Sequence, residues 1–393
     1  MPGKLRPYAA PATVIILAVL VAFAVVGATA VGGGRARASQ VSCGDMITVD
    51  TTLHQDLVNC PNRGIEIGAD GVTLDLNGHL VDGDGTPVAD CNVPRGPCDV
   101  GLLNDGHDGV TVMHGSVREF ESGVLFGTVT GRARNNRVLG VSATRNQFTG
   151  IGIFSQVRGL VRNSSGNRSL DREHGEGLGL ADSHDVRIVN NSFRHNAHVG
   201  MATFESDRYL IKGNLFSRNN EEAILMGGRD NQVTRNRLVR NGSGMSLGGR
   251  GNVVAHNRIV GGHDGIRVEK GRGTLVADNL IVDTRRWGVT LGIYRPFIGG
   301  ADNVVRGNIV RRSRVDGIAV VKKERHSVLV RNVVTGSGDD GFDINSRTTT
   351  LMGNRARRND GLGIEAVFGV IDAGGNLASG NGNPLQCLNI FCS

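Results

Sequence analysis

The sequence of 393 residues lacks three features that would assign it to a simple class. Its 59 glycines follow no strict three-residue period, which excludes a collagen-like triple helix. Lysine and arginine never form a continuous run, so a nucleic-acid-binding segment is not indicated. No Cys-x2-Cys spacing occurs, which argues against a structural zinc site.

Aromatic residues are also scarce, at 4% of the chain, whereas Val, Ile and Leu are spread throughout. That distribution of apolar residues argues against intrinsic disorder. The length would allow two or three average domains, but elongated all-β folds often run this long as one unit. The composition therefore favours a single β-rich domain with many tight turns.

The N-terminus reads as a targeting segment. Lys4 and Arg6 precede an apolar run over 12–31, which leads to an A-x-A site ending at Ala38. This order predicts a signal peptide over 1–38 and a secreted or extracellular protein with no later membrane insertion. The alternative is an uncleaved cell-surface anchor, because the run is long enough to span a membrane. Removing 1–38 lowers the formal net charge from +7 to +3, so the basic pI does not imply a nucleic-acid partner.

Six cysteines follow the leader, and they fall into three pairs that are local in sequence. An even number of cysteines in an exported chain suggests disulfides. Among the connectivities that six cysteines allow, we favour Cys43–Cys60, Cys91–Cys98 and Cys387–Cys392. The first and last of these pairs would pin the chain ends, as an N-terminal cap over 39–64 and a C-terminal disulfide cap over 381–393.

The middle of the chain repeats one short pattern: an apolar residue, two variable residues, an asparagine and a further apolar residue. Examples are IKGNLF (211–216), VTRNRL (233–238), VAHNRI (254–259), VADNLI (276–281), VRGNIV (305–310) and LVRNVV (329–334). The asparagines are Asn191, Asn214, Asn236, Asn257, Asn279, Asn308, Asn332 and Asn354, at spacings of 23, 22, 21, 22, 29, 24 and 22. The register extends backward through Asn163, Asn136, Gly115 and Asn77, and forward to Asn376.

A second element follows about nine residues later, in which two apolar residues flank one variable residue after a glycine. Examples are GMSL (244–247), GIRV (265–268), GVTL (288–291), GIAV (317–320) and GFDI (341–344). This period of two predicts a short strand with one buried face. Short strands at a period near 22 indicate a β-solenoid of about twelve coils. Like residues then stack at about 4.8 Å, and the asparagines are predicted to form an amide ladder.

Over residues 65–380 the chain resembles the right-handed parallel β-helix repeat proteins, the superfamily of pectate lyases, polygalacturonases and mannuronan epimerases. The segment 68–85 (GADGVTLDLNGHLVDGDG) resembles their entry coil, and 380–387 (GNGNPLQC) resembles their C-terminal closure. The resemblance implies a single-domain, all-β, right-handed parallel β-helix. It also implies a protein that binds or processes extracellular polysaccharide, with uronate-containing polymers as the expected ligand.

The candidate catalytic acids lie directly before glycines of the repeat. Residues 336–346 (GSGDDGFDINS) contain Asp339, Asp340 and Asp343, and Asp316 occupies the equivalent place one coil earlier. Polygalacturonases carry a similar Asp and Asp-Asp arrangement, which implies acid and base roles here. Their Gly-His-Gly element is missing, however. Asp before Gly also suits a plain turn. We predict that the two positions before each glycine form an exposed polar column.

A lyase or epimerase would need cations and a base near the same strands. Lys322 is the candidate base, and a lyase would use bound Ca²⁺, whereas hydrolysis requires no cofactor. The candidates for substrate binding combine cations, which would neutralise uronates, with aromatic platforms for sugar rings. They are Arg267, Lys270, Trp287, Tyr294, Arg295 and Lys323. The alternative is that these are solvated turn residues and ordinary side packing.

Two other functions stay open beside the polysaccharide-processing enzyme. One is a non-catalytic cell-surface or adhesion scaffold. The other is a metal-handling accessory protein, because a β-helix family linked to copper delivery shares this fold. Its candidate ligands are His174, Glu176, His195, His198 and Glu222, although they lack a compact ligand spacing and methionine is sparse. For each function we expect a monomer.

Overall fold

Parallel strands wind into a right-handed β-helix of about fourteen turns, two more than the sequence predicts. The computed structural model describes residues 40–86, 98–127, 132–294 and 297–393. None of these residues forms a helix, so the described part of the chain contains no apolar helix that could cross a membrane. The predicted signal peptide over 1–38 lies outside the described residues.

The first sheet contains fifteen strands stacked coil upon coil. Its strands are Asp45–Ile47, Arg63–Ile67, Val100–Asn104, Ser122–Phe126, Thr149–Phe154, Glu176–Ala181, Met201–Phe204, Glu222–Met226, Ser243–Leu247, Ile266–Val268, Val289–Leu291, Ile318–Val320, Phe342–Ile344, Ile364–Ala366 and Cys387–Leu388.

Two further ladders complete the coils. The second ladder contains Thr51–Thr52, Thr73–Asp75, Leu160–Arg162, Arg187–Val189, Leu210–Lys212, Gln232–Thr234, Val253–Ala255, Leu275–Ala277, Val304–Arg306, Val328–Val330, Thr350–Met352 and Ile371–Asp372. The third ladder contains Leu57–Cys60, Leu80–Gly83, Ser165–Asn167, Ser192–Arg194, Leu215–Ser217, Arg237–Val239, Arg258–Val260, Leu280–Val282, Ile309–Arg311, Val333–Thr335, Arg355–Arg357 and Leu377–Ser379. Two long strands, Thr111–Arg118 and Arg137–Thr144, run through both ladders.

Two short pairs lie outside these ladders. Ala133–Arg134 pairs in parallel with Gln156–Val157. Ile293–Tyr294 and Phe297–Ile298 form an antiparallel hairpin. This hairpin is the insertion that lengthens the coil between Asn279 and Asn308 to 29 residues.

The period of two in the sequence matches the burial of some first-sheet strands, whereas in Val289–Leu291 and Ile318–Val320 the middle residue is buried as well. In the strand Phe342–Ile344 both end residues are fully buried, while Asp343 between them faces outward and is partly exposed. The same pattern recurs in Ile266–Val268, where Arg267 occupies the outward position. Stacked inward residues from all three faces fill one continuous apolar core along the axis.

The predicted asparagine ladder is present and buried from Asn191 onward. In each step one side chain serves both neighbours: Asn214 Oδ1 accepts from the backbone N–H and the amide of Asn191, at 2.8 and 3.0 Å. Asn214 Nδ2 then donates to the carbonyl of Ile188 and to Asn236. The ladder thus satisfies buried backbone groups at a turn that could not otherwise pair.

The backward extension of this ladder is wrong at three positions, Asn163, Asn136 and Asn77. Asn77 is exposed, with φ of 49°, and His79 lies opposite Gly115 in its place. Ser164, not Asn163, occupies the ladder position one coil before Asn191, and its backbone N–H donates to Asn191 Oδ1. Asn163 has a left-handed backbone with φ of 51° and is exposed. Asn136 belongs to a different column of stacked residues, where its Oδ1 accepts from the backbone N–H of Val110 and its Nδ2 donates to the side chain of Gln156. A second ladder, five residues further along each coil, was not predicted. It contains Asn196, Asn219 and Asn241, and later Asn359 and Asn381.

Disulfides close both ends of the described solenoid. Cys43–Cys60 and Cys387–Cys392 form as predicted, with Cα atoms 5.2 and 6.3 Å apart. The third predicted pair includes Cys91, which lies outside the described residues.

Candidate active site

The residue directly before each repeat glycine forms a column along the first sheet. Asp264, Asp316 and Asp340 occupy it on the later coils, and the predicted exposure of this position is wrong. The three residues are only 3%, 5% and 6% exposed. Asp316 and Asp340 are buried because each carboxylate points along the solenoid axis and accepts a hydrogen bond from a backbone N–H of the next coil.

Asp316 is held by two donors. Its Oδ1 accepts from the backbone N–H of Asp340 at 3.1 Å, and its Oδ2 accepts from the indole N–H of Trp287 at 3.2 Å. Asp340 repeats the first contact one coil later, since its Oδ1 accepts from the backbone N–H of Leu362 at 2.5 Å. Both acids are therefore positioned by the coil stacking itself.

The environment favours the protonated form of both acids. Burial raises the pKa of Asp316 to about 7, and the negative charge of Asp343 adds to the effect. Burial also raises the pKa of Asp340 to about 8, with a further contribution from a hydrogen bond to Glu365. A carboxylic acid that keeps its proton near neutral pH can serve as a proton donor.

Three of the predicted acids meet. Asp316, Asp339 and Asp340 each bring a carboxylate oxygen within 4.8 Å of the others. Asp339 is exposed, so solvent reaches one member of this trio. Three carboxylates are hard oxygen ligands, which suit Ca²⁺ or Mg²⁺ better than copper.

Two more carboxylates border the trio on the outward face. Asp343, the fourth predicted acid, pairs in register with Glu365 on the next coil, and Asn345 donates to Asp343 at 2.6 Å. Glu365 is not among the predicted site residues. The available signal was its register: it occupies in its coil the place that Asp343 occupies one coil earlier.

Arg267 lies on the outward face of the first sheet, on an earlier coil than the trio, and is already neutralised. Its guanidinium lies 2.8 Å from Glu269, 3.1 Å from Glu222 and 3.5 Å from Asp264. Three carboxylates around one cation leave no net positive charge for a uronate ligand. Glu222 is 45 residues away in sequence, so local reading of the chain could not reveal this pairing.

Trp287 lies between Arg286 and Asp316. The Arg286 guanidinium stacks 3.9 Å from the centre of the indole ring, and the ring is partly exposed. Such a stacked, partly exposed indole beside the acids can contact a sugar ring. The backbone of Tyr294 belongs to the neighbouring hairpin, while Arg295 lies outside the described residues.

The predicted lysines are not brought to the acids. Lys322 and Lys323 are exposed in the turn after the strand Ile318–Val320, so they lie at the far end of that strand from Asp316. Six residues of extended chain span on the order of 20 Å. Lys270 lines a separate groove beside Arg250 and Arg272.

The His and Glu residues proposed as metal ligands do not form a cluster. His174 contacts Asp171 at 3.4 Å, and His198 contacts Glu221 at 3.3 Å. His195 lies in the turn after the third-ladder strand. Glu176 is isolated, and burial raises its pKa to about 7. Within the described part of the chain, only the aspartate trio groups three possible ligands.

Comparisons with known proteins agree with the fold. A family described as right handed beta helix region matches residues 122–281, and a family described as periplasmic copper-binding protein (NosD) matches residues 243–385. No curated protein sequence matches the chain significantly.

Solved structures with this fold include enzymes that act on polysaccharides. A mutant of the periplasmic alginate epimerase AlgG has a TM-score of 0.50 at 14% identity, covering 86% of this chain and 78% of that one. A variant catalytic domain of a GH87 α-1,3-glucanase, in complex with nigerose, has a TM-score of 0.50 at 12% identity. That match covers 80% of this chain and 63% of the glucanase chain. The Azotobacter vinelandii mannuronan C-5 epimerase AlgE6 A-module has a TM-score of 0.49 at 15% identity, covering 84% and 80%. At these identities the similarity establishes the fold alone.

Proposed function

We propose that this right-handed parallel β-helix protein processes an extracytoplasmic polysaccharide by glycoside hydrolysis. The observation that carries the proposal is the meeting of Asp316 and Asp340, one coil apart, with the exposed Asp339, their carboxylate oxygens within 4.8 Å of one another; burial raises the pKa of the first two to about 7 and about 8. The alginate epimerase and the α-1,3-glucanase show that this fold can support sugar chemistry. The two disulfides support a location outside the cytoplasm.

The proposed reaction needs one acid and one base. Asp340 donates its proton to the glycosidic oxygen, and the bond between that oxygen and the anomeric carbon breaks. Asp339 accepts a proton from a water molecule, whose oxygen bonds the anomeric carbon. Asp316 fixes the backbone of Asp340, and the stacked indole of Trp287 supports the sugar ring.

The charges around the acids favour hydrolysis over elimination or epimerisation. Both of those reactions remove the C5 proton of a uronate, and a cation must neutralise its carboxylate. Arg267 is neutralised by three acids, and Lys322 and Lys323 lie at the other end of the strand. A lyase would therefore need either Arg286, which stacks on Trp287 beside Asp316, or Ca²⁺ on the aspartate trio.

The test is to incubate the full chain with pectate, alginate, hyaluronan and an α-1,3-glucan, each with Ca²⁺ or with EDTA. New reducing ends that persist in EDTA and vanish in Asp340→Asn support hydrolysis. Unsaturated ends that absorb ultraviolet light and form only with Ca²⁺ would identify the protein as a lyase rather than a hydrolase. An NMR spectrum would detect epimerised residues. Retained binding without any product would instead indicate a non-catalytic scaffold.

Copper handling is not supported by the donor set. In the described part of the matched segment 243–385, the one cluster of His, Cys, Asp or Glu side chains consists of carboxylates, which suit copper less well than imidazole does.

A further inference from the structure

A row of basic side chains lies in the turn that follows the third ladder, on coils that precede the aspartate trio. Arg168, His195, Arg218 and Arg240 occupy the same position on four consecutive coils, each with a left-handed backbone at φ of 55 to 58°. Their backbone N–H groups donate to the coil that follows, as Arg218 N does to Val239 O at 3.1 Å. We call this row the arginine ladder. Its side chains repeat at about the 4.8 Å strand spacing.

A groove of about 390 Å³ runs beside the arginine ladder. Cationic side chains border it, and its remaining lining includes the apolar side chains of Leu215 and Val239. The arginines that line it are Arg194, Arg218, Arg237 and Arg240.

The positive charge of this groove is uncompensated. Among the described residues, no carboxylate lies within ion-pair distance of these four arginines, whereas Arg267 on the first sheet has three such partners. The row ends at Gly261, and the next residue in the column, Asp283, is paired with Arg312 at 2.6 Å. Stacked like charges repel one another, and an anion placed along the row would relieve that repulsion.

We propose that the arginine ladder and its groove bind a linear anionic polysaccharide that runs parallel to the solenoid axis. A polymer with an acidic group on successive sugar rings can meet one cation per coil, and guanidinium groups bind carboxylates or sulfates with two hydrogen bonds. The aliphatic faces of the rings pack on Leu215 and Val239. Single-stranded nucleic acid fits less well, because its binding relies on aromatic stacking and no Phe, Tyr or Trp lines the groove.

This binding site does not depend on the proposed hydrolysis. It lies three coils before Asp316, and it acts by charge rather than by proton transfer. If binding fails while hydrolysis is found, only the arginine ladder is refuted; the reverse result refutes only the hydrolase.

The experiment is calorimetric titration of the full chain with polygalacturonate oligomers at low and raised NaCl. The test variant is Arg218→Asn/Arg240→Asn, since asparagine tolerates a left-handed backbone. The control is Arg331→Asn/Arg358→Asn, two exposed arginines at φ of 53 and 55° on later coils, which gives the same change of net charge. We expect the test variant to raise Kd about tenfold and to lower the salt slope by about two, with the control within about twofold.

Several results would overturn the proposal. Equal weakening in both variants would mean that only the net charge matters. No binding by the unmodified chain, or equal binding of neutral dextran, would exclude an anionic-polysaccharide site. Tighter binding of oligothymidine than of polygalacturonate, lost in the test variant, would identify the partner as nucleic acid instead.

Discussion

The Oδ1 atom of Asp316 accepts a hydrogen bond of 3.1 Å from the backbone amide of Asp340, its counterpart on the following coil. This one contact links the turn geometry to the candidate chemistry. It shows that Asp316 is a structural turn residue and that the same turn places Asp340 beside the exposed Asp339. A solenoid can therefore build a carboxylate pair from its repeat without an extra loop.

Replacing Asp340 by asparagine should abolish hydrolysis and leave the fold intact. Asparagine can accept from Leu362 N–H through its oxygen and donate to Glu365 through its amide, so it copies the protonated acid. It cannot supply a proton, and we expect the turnover rate to fall at least about 100-fold. Reducing-end assays and circular dichroism measure the two effects. Retained activity in a folded variant would rule out Asp340 as the acid.

Replacing Asp316 by asparagine should be more damaging to stability than Asp340→Asn. Both carboxylate oxygens of Asp316 accept hydrogen bonds, from Asp340 N–H and from the Trp287 indole. An amide must point its NH₂ at one of these donors, which leaves buried polar groups unpaired at a cost of about 1–3 kcal/mol. Guanidinium unfolding measures the difference.

Trp287→Phe is the matched comparison for Asp316→Asn, because it removes one donor and leaves both oxygens of Asp316 in place. We expect it to cost about 1 kcal/mol through that contact. If Asp316→Asn unfolds at the same denaturant concentration as Asp340→Asn, the two-donor arrangement around Asp316 does not control stability.

The rate of hydrolysis should depend on pH as expected for a general acid whose pKa is raised. Asp340 has an ordinary value of 3.8 and a folded value of about 8, so its proton is available below pH 8 and is lost as the pH rises through that value. Hydrolysis should fall on the alkaline side, near pH 8. An alkaline limb that stays unchanged in a folded, active Glu365→Gln variant would argue against this assignment, since Glu365 contributes to the shift.

The same pKa shift predicts how stability changes with pH. The contribution of Asp340 to the free energy of unfolding is fully present below pH 3.8 and is lost as the pH rises through about 8. Between these two values only the folded chain retains the proton, so each rise in pH favours the unfolded chain. Asp340→Asn removes this loss, so its melting temperature relative to the unmodified chain should rise between pH 4 and 9. The rise should be roughly 1–2 °C for each kcal/mol regained. A difference that stays constant over this range would contradict the buried-acid interpretation.

The fold was predictable because stacking makes each coil position repeat in sequence. The spacing of Asn214, Asn236 and Asn257 revealed one ladder, and glycine-led apolar pairs revealed the first sheet. The number of turns was underestimated because the entry coils lack this asparagine pattern. The site was only partly predictable, since burial of Asp316 and neutralisation of Arg267 depend on side chains from other coils.

Within the asparagine ladder, Asn279 offers the sharpest test of what holds the coils together. Its side chain accepts from the backbone and amide of Asn257 and donates to Val254 O and Asn308 Oδ1, all buried and at 2.9 to 3.0 Å. Asn279→Ala removes these contacts and leaves a buried N–H unpaired, which should cost about 3 kcal/mol. The cost should appear as a lower guanidinium unfolding midpoint.

The control for the ladder is Asn220→Ala, because Asn220 is exposed and its side chain makes a single contact, to Ala197 O at 3.1 Å. We expect a change within about 0.5 kcal/mol, the usual range for a surface substitution. If both variants unfolded at the same denaturant concentration, the apolar core alone would account for coil stacking. A midpoint lowered only by Asn279→Ala would show that the ladder stabilises the stack, because only that variant leaves buried backbone groups without partners.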